Sequence, residues 1–263
     1  MPRIPAKFHH EDQHPPSLTW QDAKTHLRHF AIISWAVDPE ALSALLPKGF
    51  EPEIFTLASG RRVALISAVP FEDVDFHFHG FPFYKISMGQ TNYRAYVIHQ
   101  GKRVVWFFGT TLGGFWIRIP RDRWKLPWHA ASLSFDVSYS DQNPEVCATY
   151  SLRALSQWAP MELDMVGTTT PLSTLDGFYN EEDTRVTLTH PLIGYYYRLD
   201  QRVGSYRVWH SPLELYVASV NHVRAHLFER LGLITAQTPV HSALIQRETL
   251  FHVYLPPTLV TQA

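Results

Sequence analysis

Apolar and polar positions change period along this chain, and the changes outline its elements. His29–Val37 is rich in apolar residues and predicts a strand. Asp38-Pro39-Glu40 then opens a helix, with Asp as cap, Pro at the first helical position and Glu against the dipole. Ala41, Leu42, Leu45 and Leu46 form its apolar face, and Pro47 with Gly49 stops it. From Arg62 the period becomes that of strands: Val63–Phe71, Phe83–Met88, Thr91–His99 and Arg103–Thr111. Gln100-Gly101 joins the last two as a hairpin, and Val104–Phe108 is apolar throughout, as in a strand covered on both faces. Ala131–Tyr139 alternates cleanly and should pair antiparallel with Val146–Ala154 across the turn Ser140–Pro144. Arg185–Thr189, Tyr195–Leu199, Tyr206–Trp209 and Leu250–Tyr254 predict further strands, while Val220, Val223, Leu227 and Leu231 share a helical face ended by Gly232. Residues 1–18, with His9, His10, His14 and Pro15-Pro16, read as a loosely ordered lead-in. Residues 19–263 show no repeat or linker and read as a single, β-dominated α+β domain with few helices.

Composition narrows the function classes. The 263 residues carry 23 Lys+Arg against 24 Asp+Glu, and aromatics reach 14%. So aromatic a chain is not disordered, and so balanced a charge does not suit a nucleic-acid partner. The densest basic stretch, Arg118–Lys125, reads as a solvated loop. The lone Cys147 cannot form an internal disulfide and sits in an apolar run, as a buried, inert thiol would. Met1–Phe8 lacks the features of a signal peptide, and the most apolar uncharged stretch, Val104–Ile117, is too short to span a bilayer. The expectation is a soluble cytoplasmic protein without a membrane partner; its oligomeric state is left open.

The candidate chemistry is sparse. Thr91–Ile98 puts Asn92, Arg94 and Tyr96 on one strand face, where buried polar groups need partners or water. Arg94 could hold a carboxylate bidentately, or pair structurally with Asp136 or Glu72. His77 and His79 share a strand face without an evident third ligand, and His222, His226 and Glu229 have helical spacing without the zinc-protease glutamate, so no metal is expected. Gly113-Gly114 lacks a phosphate-loop pattern and no Gly-x-Ser-x-Gly elbow occurs, so no cofactor is expected either. The acidic runs Glu72–Asp75 and Glu181–Asp183 read as solvated turns. Of six lysines, only Lys85 and Lys125 have surroundings apolar enough to lower an amine pKa.

Several segments together resemble a known family: His29–Trp35, Val37–Leu42, Leu46–Phe50, Asn92–Val97, Val105–Phe108, Arg123–Ala130, Tyr196–Leu199 and His210–Leu213. They look like the YqjF-like proteins, a family of unknown function in the acetoacetate-decarboxylase-like superfamily. The resemblance implies a cone-shaped β-barrel joined to a larger antiparallel sheet, with a pocket in the barrel. The superfamily's namesake uses a barrel lysine to form a Schiff base with a β-keto acid. Its lysine pair follows an Arg-Glu-x-Trp/Tyr-Gly-Phe-Pro pattern; the matching stretch here is Arg121–His129, so Trp128 and His129 occupy the lysine positions. An indole cannot form an imine, and Lys125 sits three residues earlier, at the pattern's glycine. Gln90 stands where the family usually has Glu, and Thr189-His190-Pro191 departs from another family run, which leaves His129 as the candidate acid or base. The expected function is binding of a small carbonyl- or carboxylate-bearing molecule near Gln90, Asn92, Arg94, Tyr96 and Trp128, with any chemistry independent of a Schiff-base lysine. The alternatives are a lyase or decarboxylase using Lys85 or Lys125, and a non-catalytic structural or interaction barrel.

Overall fold

The computed structural model describes residues 3–9, 14–114 and 117–260. In chain order its elements are β1 (Ala23–Val37), α1 (Pro39–Ser43), β2 (Phe50–Pro52), β3 (Phe55–Thr56), β4 (Arg62–Phe78), β5 (Ile86–His99) and β6 (Lys102–Leu112). There follow α2 (Arg118–Trp124), β7 (Trp128–Ala130), β8 (Ser132–Tyr139), β9 (Cys147–Leu155), β10 (Met161–Pro171) and α3 (Glu181–Thr189). The chain ends with β11 (Ile193–Tyr197), β12 (Val203–His210), β13 (Tyr216–Ala225), α4 (His226–Arg230) and β14 (Ser242–Leu259).

Strands β1-β4-β5-β6-β11-β12-β14 form a continuous ladder, and β14 pairs back onto β1, so the ladder closes into a barrel. Closure leaves these strands without open edges. Past β14 the ladder continues through β13, β10, β9 and β8 as an antiparallel sheet that covers the outside of the barrel. The fold is thus the β-dominated barrel-plus-sheet expected from the sequence. Trp35, Ile66, Tyr93 and Trp106 on the outer wall meet Tyr150, Leu163 and Phe228 in one core, while Leu27, Phe30, Val69, Phe71 and Phe107 line the barrel interior. Two-sided burial explains the unbroken apolar run Val104–Phe107 in β6 and the similar run in β4.

Two bulges decide which side chains enter the barrel. Thr25 and Leu27 of β1 face inward, but the register slips between Arg28 and Ile33, where His29 has φ 54°, and Phe30 and Ile32 then face inward instead. In β6 the slip opposite Tyr93 and Arg94 changes the inward set from Val105 and Phe107 to Thr110 and Leu112. An extra residue shifts a period of two by one face. Gly109 lies at that bulge with φ 154°, and a Cβ there would sit 2.5 Å from the Trp158 ring.

Several elements differ from the sequence reading. Arg185–Thr189 belongs to α3, which begins at Glu181: Asn180 caps it by accepting from the Asp183 N–H, and the acidic run complements its dipole. Val220 to Ala225 is strand, because β10 offers a ladder (Leu163↔Val223, Met161↔Ala225); only His226–Arg230 is helical. A bulge around Asn221 brings Val220 and Val223 to the same core, which imitates helical spacing. Phe83, Tyr84 and Lys85 lie outside β5, and Arg118–Trp124 is helix α2 rather than loop.

Residues 3–8, expected as part of a loose lead-in, are bound to the barrel's closed end. Arg3 makes two hydrogen bonds to Asp183 (2.6 and 2.8 Å) and one each to Glu53 and Thr187, and it lies over the Phe55 ring. The Ala6 N–H donates to Asp183, and Phe8 packs edge-on against His190. His10 lies outside the described residues.

Candidate functional site

The barrel is only partly filled by its own side chains. A cavity of about 200 Å³ remains inside it. Thr189, Pro191 and His210 contribute at the end where α3 closes the barrel. Ile117, Pro120 and Trp124 of the α2 segment contribute, as do Leu126 and Trp128 before and within β7. The walls are largely aromatic and aliphatic, with Phe30, Phe71, Phe107 and Phe251 prominent.

Against this apolar wall β5 presents a polar row. Alternation sends Met88, Gln90, Asn92 and Arg94 into the cavity. Asn92 Oδ1 accepts from Thr110 Oγ1 at 2.8 Å and from Gln90 Nε2 at 2.9 Å. Two donors on the oxygen assign the amide orientation and leave the Asn92 N–H donors for another acceptor. Arg94 is held by Nη2, which donates to the Leu188 carbonyl at 2.7 Å and to Tyr96 Oη at 3.2 Å. Among the described residues no carboxylate forms an ion pair with Arg94, and its buried Nε has no partner. The structural pairing with Glu72 or Asp136 does not occur: Glu72 approaches His29 at 3.5 Å and Asp136 is exposed.

Three groups that the sequence reading passed over complete the site. Asp73, at the far end of β4, lines the cavity and is 5% exposed, and its hydrogen bond comes from Thr25 Oγ1 at 3.0 Å. Burial raises its carboxyl pKa to about 7 against the opposing effect of that hydrogen bond. Tyr206 stacks on Phe107 at 5.6 Å, and burial raises its phenol further above the ordinary range; Arg94 opposes that rise and Asp73 adds to it, so the phenol lies within reach of both fields. His210 places Nε2 2.9 Å from the Thr189 carbonyl and Nδ1 2.8 Å from the Ser211 carbonyl, with its ring stacked on Phe251. Burial lowers its pKa although both carbonyls favour the cation.

The residues expected from the sequence separate into two groups. Gln90, Asn92, Arg94 and Trp128 line the cavity together. Tyr96 lies beneath Arg94, 1% exposed and bonded to Ser67 Oγ at 3.0 Å, and positions the guanidinium without lining the space. His129 follows Trp128 on the strand and so faces the other way, stacked on Trp158 at 3.8 Å outside the barrel; burial, with Arg121 and Arg230 nearby, lowers its pKa to about 4. It does not reach the cavity. Lys125 is exposed at the end of α2, and Lys85 is exposed and paired with Asp75 at 2.7 Å, so neither amine lines the cavity. His77 turns to the Asp75 carbonyl, and the strand conformation of β13 removes the helical spacing of His222 and His226: His222 approaches Glu162 and His226 approaches Glu229. Among the described residues no three His, Cys, Asp or Glu groups gather as a metal site, and no helix is long and apolar enough to cross a membrane.

This architecture is shared with solved structures. The chain superposes on acetoacetate decarboxylase from Legionella pneumophila with TM-score 0.57 and 12% identity, covering 94% of this chain and 92% of that one. An acetoacetate decarboxylase-like enzyme from Sphingomonas wittichii gives TM-score 0.61 and 10% identity over 94% and 95%. The enduracididine biosynthesis enzyme MppR, complexed with pyruvate, gives 0.55 and 11% over 93% and 92%. At these identities the likeness is one of fold. No curated protein matches the chain. The model of the DUF2071 family of uncharacterized conserved proteins matches residues 24–248, so this barrel protein belongs to that family, on the acetoacetate-decarboxylase-like fold that its sequence led us to expect.

Proposed function

We propose that the barrel binds a small, largely apolar molecule by a carboxylate or adjoining carbonyl held at Arg94, with any chemistry independent of a lysine imine. The observation that carries this reading is the Arg94 guanidinium, which faces an apolar cavity with an unpartnered Nε and, among the described residues, no carboxylate in an ion pair with it. The partly buried guanidinium keeps a buried Nε–H without an acceptor, and an anionic ligand would supply both that acceptor and a counter-charge. Asn92 adds N–H donors one inward position along the strand. A cavity of about 150 Å³ admits a benzene ring, so one of about 200 Å³ suits roughly a one-ring acid. The pyruvate complex of MppR is a precedent on this fold for a small keto acid, and the lack of a lysine in the cavity separates the proposed binding from imine chemistry. The same proposal sets the protein in the cytoplasm, supported by its lone buried cysteine.

Thermal-shift titration tests the anchor. Phenylpyruvate and 3-phenylpropanoate should raise Tm, whereas 3-phenylpropanamide should not. Arg94→Gln should weaken binding of both acids about ten- to a hundredfold, the loss of a charge-assisted hydrogen-bond pair. Equal titrations of the variant and the wild type would refute the anchor.

A further inference from the structure

At the closed end of the barrel two basic side chains meet the last carbonyls of α3. Arg94 Nη2 donates to the Leu188 carbonyl at 2.7 Å, and His210 Nε2 lies 2.9 Å from the carbonyl of the next residue, Thr189. Both side chains line the cavity, and His210 is the only histidine among the described residues that does. The last carbonyls of a helix carry partial negative charge and favour cations. His210 Nδ1 lies 2.8 Å from a second carbonyl, that of Ser211. A neutral imidazole has one N–H, so it donates to one of these oxygens and turns the lone pair of its other nitrogen toward the remaining one. Only the imidazolium, a donor at both nitrogens, satisfies what the backbone places around this ring.

The charges around the ring decide which form it takes. His210 is 1% exposed, and burial favours the neutral ring; the two carbonyls oppose that effect and the Arg94 charge adds to it. From α3 the ring meets His190 at 4.5 Å, and burial lowers the His190 pKa to about 3, so that neighbour stays neutral. Arg185 on the same helix is paired with Glu181. β14 contributes the stacked Phe251, and β12 itself places Tyr206 and Val208 in the cavity. From β4 the cavity receives Asp73, whose hydrogen bond comes from Thr25. No carboxylate among the described residues forms an ion pair with His210.

We infer that an acid bound at Arg94 takes up a proton with it and that His210 holds this proton, so the carboxylate binds beside two cations. This rests on the binding reading above and adds to it a second binding residue and a linkage to pH. The carboxylate offsets the Arg94 charge that disfavours the imidazolium, and it adds an attraction of its own. The proton comes from solvent and enters on the ring nitrogen that carries the lone pair, after which both nitrogens donate to their carbonyls. The coupling is reciprocal: the bound acid raises the affinity of His210 for the proton by the factor by which the proton raises the affinity for the acid.

Calorimetric titration of 3-phenylpropanoate near neutral pH, in buffers of different ionisation enthalpy, counts the protons taken up on binding. Uptake by the wild type should approach about one proton per acid bound. Nitrogen NMR of protein labelled at histidine should show one ring, identified by its contacts with Phe251, become a donor at both nitrogens when the acid is added. His210→Gln should bind the acid about tenfold more weakly and without that uptake. Binding without uptake, uptake with no newly doubly protonated ring, or uptake undiminished in His210→Gln overturns the inference and leaves the binding reading standing. Should the variant fail to fold, the wild-type spectrum decides alone. Absence of 3-phenylpropanoate binding to the wild type removes the binding reading first and this inference with it.

Discussion

A single carboxyl makes its own energetic argument at Asp73. Its folded pKa of about 7 lies above the ordinary 3.8, so the folded state holds its proton more tightly than the unfolded chain does. The resulting stabilisation is fully present below about pH 3.8 and is lost as pH rises through about 7. Asp73→Asn keeps the shape and the contact with Thr25 but removes the ionisation. The variant should therefore match the wild type in urea denaturation at pH 4 and exceed it at pH 8.5 by a few kcal/mol. A stability difference that does not change with pH would show that Asp73 ionises freely in the fold. The same residue marks how far the site was legible. Asn92 and Arg94 were readable because strand alternation put them, with Tyr96, on a face that had to be enclosed, whereas Gln90 was picked out by the family resemblance. Asp73 continues the same period from Val69 and Phe71, yet it lies in Glu72-Asp73-Val74-Asp75, which reads as a solvated turn once the strand is ended at Phe71. Extending β4 to Phe78 would have turned Asp73 inward; nothing local in the sequence signals that extension.

Elements were legible where their own residues decided them, and misread where distant partners did. The α1 cap, the β5–β6 hairpin and the pairing of β8 with β9 follow from short-range chemistry. By contrast β13 owes its strand conformation to β10, about sixty residues earlier, and the bulge at Asn221 disguised its period. The opening segment is the clearest case, because Arg3 finds Glu53 and Asp183 at sequence distances of 50 and 180. Asp183 and Glu53 have side-chain exposures of 0% and 4%, so removing their cation leaves buried charge behind. Arg103 still reaches Glu53, and backbone N–H groups of Ala6 and Tyr179 still reach Asp183. The expected loss for Arg3→Ala is accordingly at the lower end for a broken buried pair, about 3 kcal/mol in chemical denaturation. A loss below about 0.5 kcal/mol would mean that the segment rests on α3 without stabilising it.

At the scale of the whole molecule, a barrel like those of the acetoacetate-decarboxylase-like enzymes encloses a hollow into which no lysine projects. The resemblance aligns the superfamily's lysine pair with Trp128 and His129, and of these two β7 residues only Trp128 lines the cavity. Trp128 lines the cavity, its carbonyl accepting from Arg121 at 2.7 Å, while His129 beside it faces outward onto Trp158. An amine introduced at Trp128 would be desolvated by the apolar wall and would share the interior with Arg94, and both effects favour its neutral, nucleophilic form. Wild-type protein incubated with pyruvate and cyanoborohydride should retain its mass. Trp128→Lys should gain one reduced imine per chain, blocked by excess 3-phenylpropanoate, and His129→Lys should gain none because its amine would lie outside the barrel. Peptide mapping that finds a blockable adduct on wild-type Lys85 or Lys125 would show that an exposed lysine enters the cavity in solution, and the proposed independence from imine chemistry would fall. An adduct at His129→Lys equal to that at Trp128→Lys would show that the facing of β7 differs from the alternation that separates these two side chains.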